Sequence, residues 1–310
     1  MKNRILIFIT AALAACLISC HKGNLTELTN DIPAVLEINP TVLASAGTRA
    51  TISSFPDNSE IGLFITSGNI SNHYNGVSAY ANVKATLNIN HWVLSPTVYL
   101  SPAPAKVYAY YPYTSENTDG TSIPIEHNTQ TDYLIGTHTA GQTDINNSNS
   151  QVSLSMQHAL SLLIFDVYVE NYTGAAELTK IEVANCIGRS VLFSEGKLNL
   201  ETGAITGTAG KNQAYAHTLS RMLGSAPTGH EKTLPKFMVM PVSSIQETGN
   251  VVIYFTIDGK VYTYYVPAGT VWASGTKNTY TVKLSGKALI TSNITITNWT
   301  DGINGNITLP

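Results

Sequence analysis

Two residues of this chain have neighbours that suit them to covalent chemistry, and both lie near its start. The first is Cys20. Lys2 and Arg4 open the chain with positive charge, Ile5 to Ile18 is an apolar run rich in small alanines, and Leu17-Ile18-Ser19-Cys20 closes it. That run is shorter than the ~20 residues that cross a bilayer, and it reads as an export signal over residues 1–19. A Leu-x-Ser-Cys ending resembles a lipobox, in which the thiol is lipidated and the cysteine becomes the first residue of the mature chain. The chain is therefore expected to leave the cytoplasm on a lipid anchor at Cys20. The second residue is Arg49, the first arginine after the signal. It sits in Ala44-Ser45-Ala46-Gly47-Thr48-Arg49-Ala50, a small and flexible segment. A trypsin-like protease reaches such a linker readily, though on the residues alone a solvated linker arginine is the plainer reading of Arg49.

Elsewhere the residues that could do chemistry lack the necessary spacing. Gly207-Thr208-Ala209-Gly210-Lys211 falls short of a phosphate loop, because Ile205 stands where the first glycine belongs and Asn212 replaces the hydroxyl residue. The eight histidines show no His-x-x-x-His or His/Cys spacing of the zinc kind. Asp144-Ile145-Asn146-Asn147-Ser148 offers alternate oxygen ligands without the glycine and glutamate of a calcium loop. Gly-x-Ser-x-Gly does not occur. His158, beside Met156 and Leu160, reads as a hydrogen-bonded structural residue. Tyr108, Tyr110, Tyr111 and Tyr113 could stack on a sugar, but aromatic residues are ordinary in strands and sheet packing is the preferred reading. No enzyme activity, metal or cofactor is expected. A net charge of −3, with only 12% charged residues, offers no basic surface for nucleic acid. Beyond Cys16 in the signal and Cys20, only Cys186 remains, so no internal disulfide holds the fold.

Stability must then come from a core and its ladders, and the pattern is all-β. Period-2 runs separated by Gly, Asn, Asp and Pro clusters dominate the chain. The clearest unit is Val251 to Val266. Asp258-Gly259 can take both positive φ values of a type I′ turn, which sets Phe255 opposite Tyr262, Ile253 opposite Tyr264 and Val251 opposite Val266. Strands are also expected at Ile61–Thr66, Lys106–Tyr111, Ser161–Glu170, Lys236–Val242, Thr279–Leu284 and Asn293–Trp299. In Ser161–Glu170, Leu163, Phe165, Val167 and Val169 share one face. Tyr113–Gln130 and Thr137–Ser150 read as exposed loops, and Gly203 to Gly229 as a long excursion. A boundary is placed near Asn171-Tyr172-Thr173-Gly174. At the start of the mature chain, Leu36, Ile38 and Val42 share one face of a strand interrupted by Pro40. A residue that cannot donate to a ladder belongs at an edge.

Four segments, in order along the chain, carry a likeness. They are the lipobox with Thr48-Arg49-Ala50; Ile61-Gly62-Leu63-Phe64 with Tyr80-Ala81-Asn82-Val83; Val107-Tyr108-Ala109-Tyr110-Tyr111-Pro112-Tyr113; and Gln157-His158-Ala159-Leu160-Ser161 with Tyr280-Thr281-Val282 and Ile294-Thr295-Ile296-Thr297-Asn298-Trp299. Together they resemble the fimbrillins of the Bacteroidales, the Mfa-like subunits of type V pili. The resemblance implies two transthyretin-like β-sandwich domains in tandem, here 50–171 and 172–310, behind a propeptide at 20–49. It also implies export to the outer membrane, cleavage after Arg49, and loss of the strand bearing Leu36, Ile38 and Val42. A strand from another pilus subunit would fill the groove, with Ile303, Ile307 and Leu309 as candidate donor residues of one parity. Adding a strand in this way satisfies an exposed edge and an exposed core together, and head-to-tail repetition gives an open filament. The tail from Thr300 to Pro310 is short and contains two glycines, so an anchor or tip role stays open beside a stalk role. The partners implied are other subunits, the outer membrane, and a receptor on a host or bacterial surface. The alternative is an uncut surface lipoprotein that binds glycan.

Overall fold

The computed structural model describes residues 32–43, 54–127, 129–138, 142, 144–230, 233–286 and 288–298. Cys20, Arg49, Ala50, Ile303, Ile307 and Leu309 lie outside these described residues.

The chain is built almost wholly from strands. In its first half these are β1 (Ala34–Val35), β2 (Glu37–Val42), β3 (Glu60–Thr66), β4 (Val83–Asn88), β5 (His91–Ser95), β6 (Tyr99–Leu100), β7 (Lys106–Tyr111), β8 (Ile123–Glu126), β9 (Leu134–His138) and β10 (Gln151–His158). The second half adds β11 (Ser161–Glu170), β12 (Glu177–Asn185), β13 (Glu195–Leu198), β14 (Ile205–Gly207), β15 (Tyr215–Met222), β16 (Lys236–Val239), β17 (Val251–Ile257), β18 (Lys260–Tyr265), β19 (Thr276–Ser285) and β20 (Ala288–Asn298).

A seven-stranded sheet runs β2-β10-β9-β7-β3-β4-β5, antiparallel except where β2 lies parallel to β10. Two four-stranded sheets, β16-β11-β19-β20 and β15-β12-β17-β18, face one another later in the chain. Their shared core contains Phe165, Phe255, Tyr280 and Trp272, with the Trp272 Nε1 donating to the Tyr280 hydroxyl at 2.8 Å. A small sheet, β14-β13-β8, ties residues 123–126 to the later half.

The hairpin β17–β18 has the register expected, Phe255 opposite Tyr262 and Ile253 opposite Tyr264. Asp258 and Gly259 hold φ values of 49° and 72°, as the turn requires. The strands expected at 61–66, 106–111, 161–170 and 279–284 are present, some of them longer. Lys236–Val242 stops as a strand at Val239, and Val242 makes an isolated bridge to Trp272. Two loop expectations are corrected. Tyr113–Gln130 contains β8, and the excursion after Gly203 contains β14 and β15.

β11 is buried on both faces. Leu163, Phe165 and Val167 enter the later core, whereas Leu162 and Ile164 enter a separate apolar layer with Phe64, Tyr108, Tyr110 and Ile135 of the seven-stranded sheet. β11 precedes the expected boundary at 171–174 and hydrogen-bonds to β16 and β19 from later in the chain.

Candidate functional site

The site built by the first strand starts from its alternation. From Leu36 to Val42 the side chains alternate between buried and exposed, with Leu36 at 1% and Ile38 at 8% exposure, Pro40 buried and Val42 half-buried. All four point into the core formed by Val152, Leu154, Met156, Leu63 and Ile65. Each such apolar side chain, when fully buried, contributes about 1.5–3 kcal/mol.

β2 is an edge strand, as the proline suggested. At its two ends, the Glu37 N–H donates to the Ser150 carbonyl at 2.9 Å and the Leu43 N–H to the Met156 carbonyl at 2.8 Å. Odd-numbered residues therefore face β10, and Pro40 faces away, where its missing N–H costs the ladder nothing. Leu36, of the same parity as Pro40, donates instead to the Val98 carbonyl at 3.0 Å, next to the short pairing of β1 with β6. The strand is thus held along one side only.

The seven-stranded sheet curls so that its two edges, β2 and β5, approach one another. Between them lies an open groove of about 580 Å³, lined by Ile38, Pro40 and Val42 on one side and by Leu87 and Trp92 on the other. Phe55 closes its end, with its ring edge-on to Trp92 at 5.3 Å and to Tyr111 at 5.7 Å. The sequence pointed to Leu36, Ile38 and Val42. Phe55 and Trp92 were missed, because only closure of the sheet brings them to β2. Val42 is followed by residues 44–53, which carry Arg49.

The other residues singled out from sequence fall into the framework. Tyr108 and Tyr110 are buried at 1% exposure, so neither presents an open ring to a sugar. The Tyr110 hydroxyl donates to Asn82 Oδ1 at 2.6 Å, and its ring lies where a side chain on Gly62 would stand. His158 Nδ1 is 2.8 Å from Asp132 Oδ1, both side chains being buried, in keeping with a structural histidine. Residues 207–211 form the end of β14 and a turn in which the Lys211 N–H donates to the Thr208 carbonyl at 3.1 Å. Lys211 Nζ is itself paired to Glu195 at 2.9 Å.

The sequence matches the profile of the fimbrillin-like family over residues 48–299. The chain belongs to that family. The match begins after β2, so β2 of this fimbrillin-like chain lies outside it. No curated protein matches the chain. Among solved structures, it is similar to a candidate cell adhesion protein from Bacteroides ovatus, with a TM-score of 0.63, 18% identity, and coverage of 88% of this chain and 100% of that one. A candidate cell adhesion protein from Bacteroides uniformis gives a TM-score of 0.59 at 17% identity, covering 86% and 99%. A fimbrial protein from Bacteroides vulgatus gives 0.52 at 14% identity, covering 86% and 99%. At these identities the likeness establishes a shared fold.

Proposed function

We propose that this fimbrillin-like chain is a structural subunit of a surface fimbrium, with a role in adhesion and none in catalysis. It is exported on the Cys20 lipid to the outer membrane and cut between Arg49 and Ala50. It is then assembled when a strand of another subunit takes the place of β2. Family membership supports the fimbrial role. The observation that carries the assembly step is the construction of β2: an edge strand, bonded along one side, whose alternate side chains plug a core and whose chain continues directly into the Arg49 linker. Removing such a strand uncovers the β10 edge together with Val152, Leu154 and Met156, and a replacement strand covers both at once.

A donor must repeat the spacing of Leu36, Ile38, Pro40 and Val42. Ile303, Ile307 and Leu309 share one parity and match three of those four positions, with Gly305 at the second. The test is mass analysis of the N-terminus of protein recovered from the cell surface, in wild type and in Arg49→Ala. A mature start at Ala50 in wild type, with intact unpolymerised lipoprotein in the variant, is the expected result. Normal filaments from Arg49→Ala would sink the processing step.

A further inference from the structure

Another edge strand of the molecule is β16, the outermost strand of its sheet. The Phe165 N–H donates to the Pro235 carbonyl at 3.1 Å, and β16 pairs antiparallel with β11 from Ser161↔Val239 to Ile164↔Lys236. Odd-numbered residues of β16 therefore bond to β11, and the N–H and C=O of Met238 point away from it, as at a sheet edge, although Phe237, Met238 and Val239 are themselves buried.

That outward position is filled by a side chain. Gln130 Oε1 accepts the Met238 N–H at 2.8 Å, and Gln130 Nε2 donates to the Met238 carbonyl at 3.1 Å. A primary amide placed this way makes the two bonds that a residue of a neighbouring strand would make. The same Nε2 also donates to the His127 carbonyl at 2.9 Å. The next outward position, Met240, donates its N–H to the Tyr215 hydroxyl at 3.4 Å. Gln130 is presented by a tight turn in which its own N–H donates to the His127 carbonyl at 2.9 Å, and its φ is +50°. A left-handed backbone is uncommon for glutamine, and residues held in that region persist only where their surroundings fix them. His127 anchors the turn through its ring, which packs on Tyr215 at 3.6 Å between centroids and a tilt of 31°.

We propose that Gln130 is a surrogate strand that closes the β16 edge. It keeps β16 of one copy from pairing with β16 of a second copy. Closure of β16 does not depend on the cleavage proposed above.

The test uses the full chain carrying Arg49→Ala, which keeps β2 in place, with and without Gln130→Ala. Sedimentation velocity over a range of concentrations should show Gln130→Ala self-associating at least ten-fold more tightly than its parent. Amine cross-linking should join Lys236 to Lys236 between copies, and the Met238 amide should exchange more slowly as concentration rises. A folded Gln130→Ala chain that stays monomeric over the same range overturns the proposal. If Gln130→Ala does not fold, Gln130→Met keeps the length and removes the amide, and it should associate in the same way. Loss of folding in both variants also overturns the proposal, since Gln130 would then support the fold and not guard its edge. None of these outcomes alters the N-terminal mass at the cell surface, which tests processing separately.

Discussion

At the scale of single residues, Asp258 does most with least. It occupies the first positive-φ position of the β17–β18 turn, and its carboxylate also gathers the chain that follows β11. The Glu177 N–H donates to it at 2.9 Å, the Ala176 N–H at 3.0 Å and the Tyr172 hydroxyl at 2.8 Å. These donors, the Glu177 N–H foremost, hold its carboxyl below the usual carboxylate range against the opposing effect of desolvation. A depressed folded pKa gives stability that is fully present above the unfolded value, about 3.9, and is lost as pH falls through the folded value. Asp258→Asn separates this from the turn, because Asn-Gly suits the same geometry. The variant should have a lower urea midpoint than wild type at neutral pH, and the difference should shrink as pH falls below the unfolded value and through the folded one. A difference that persists unchanged in strong acid would mean that the carboxylate charge is not its source. The turn was legible in sequence because Asp-Gly between two alternating runs dictates it. The clamp was not, because Tyr172 and Ala176 stand more than eighty residues from Asp258 along the chain.

Among the elements, legibility followed burial. β2 could be read because its buried and exposed residues alternate strictly and its proline marks an edge. β15 could not: apart from Tyr215 it has no fully buried residue, so no apolar period separates it from a loop. β8 is four residues with Pro124 inside, and it is a strand because β13 pairs with it. β11 was read as apolar on one face, whereas Leu162 and Ile164 bury the other against the seven-stranded sheet. The same alternation makes β2 testable. In the uncut chain Leu36→Ala should cost about 2–5 kcal/mol by denaturant unfolding, as deletion of a buried leucine does. Glu37→Ala, one residue along on the exposed face, should stay within about 0.5 kcal/mol of wild type. Equal effects would mean that the strand does not plug the core in solution. After a cut at Arg49, Leu36→Ala should also shed the severed strand sooner, which native mass spectrometry reads directly.

For the whole molecule the decisive feature is the apolar layer that no single segment of sequence announces. It joins Tyr108 and Tyr110 of β7 to Leu162 and Ile164 of β11 and to Met238 of β16, while β8 reaches across to β13. Under the assembly proposed above, the subunit must lose one strand without losing the rest, and that support is assigned to a shared layer away from β2. The layer should make unfolding of the uncut chain a single event. Trp92 lies in the first core and Trp272 in the later one. Fluorescence followed separately, with Phe at Trp299 and at the other of these two positions, should give coincident urea transitions, as two-state behaviour requires. Leu162→Ala removes contacts from the layer alone and should lower both midpoints together, by about 2–5 kcal/mol of stability. If the Trp272 transition moves while the Trp92 transition does not, the two cores stand independently, and the layer is a contact between them instead of a shared frame.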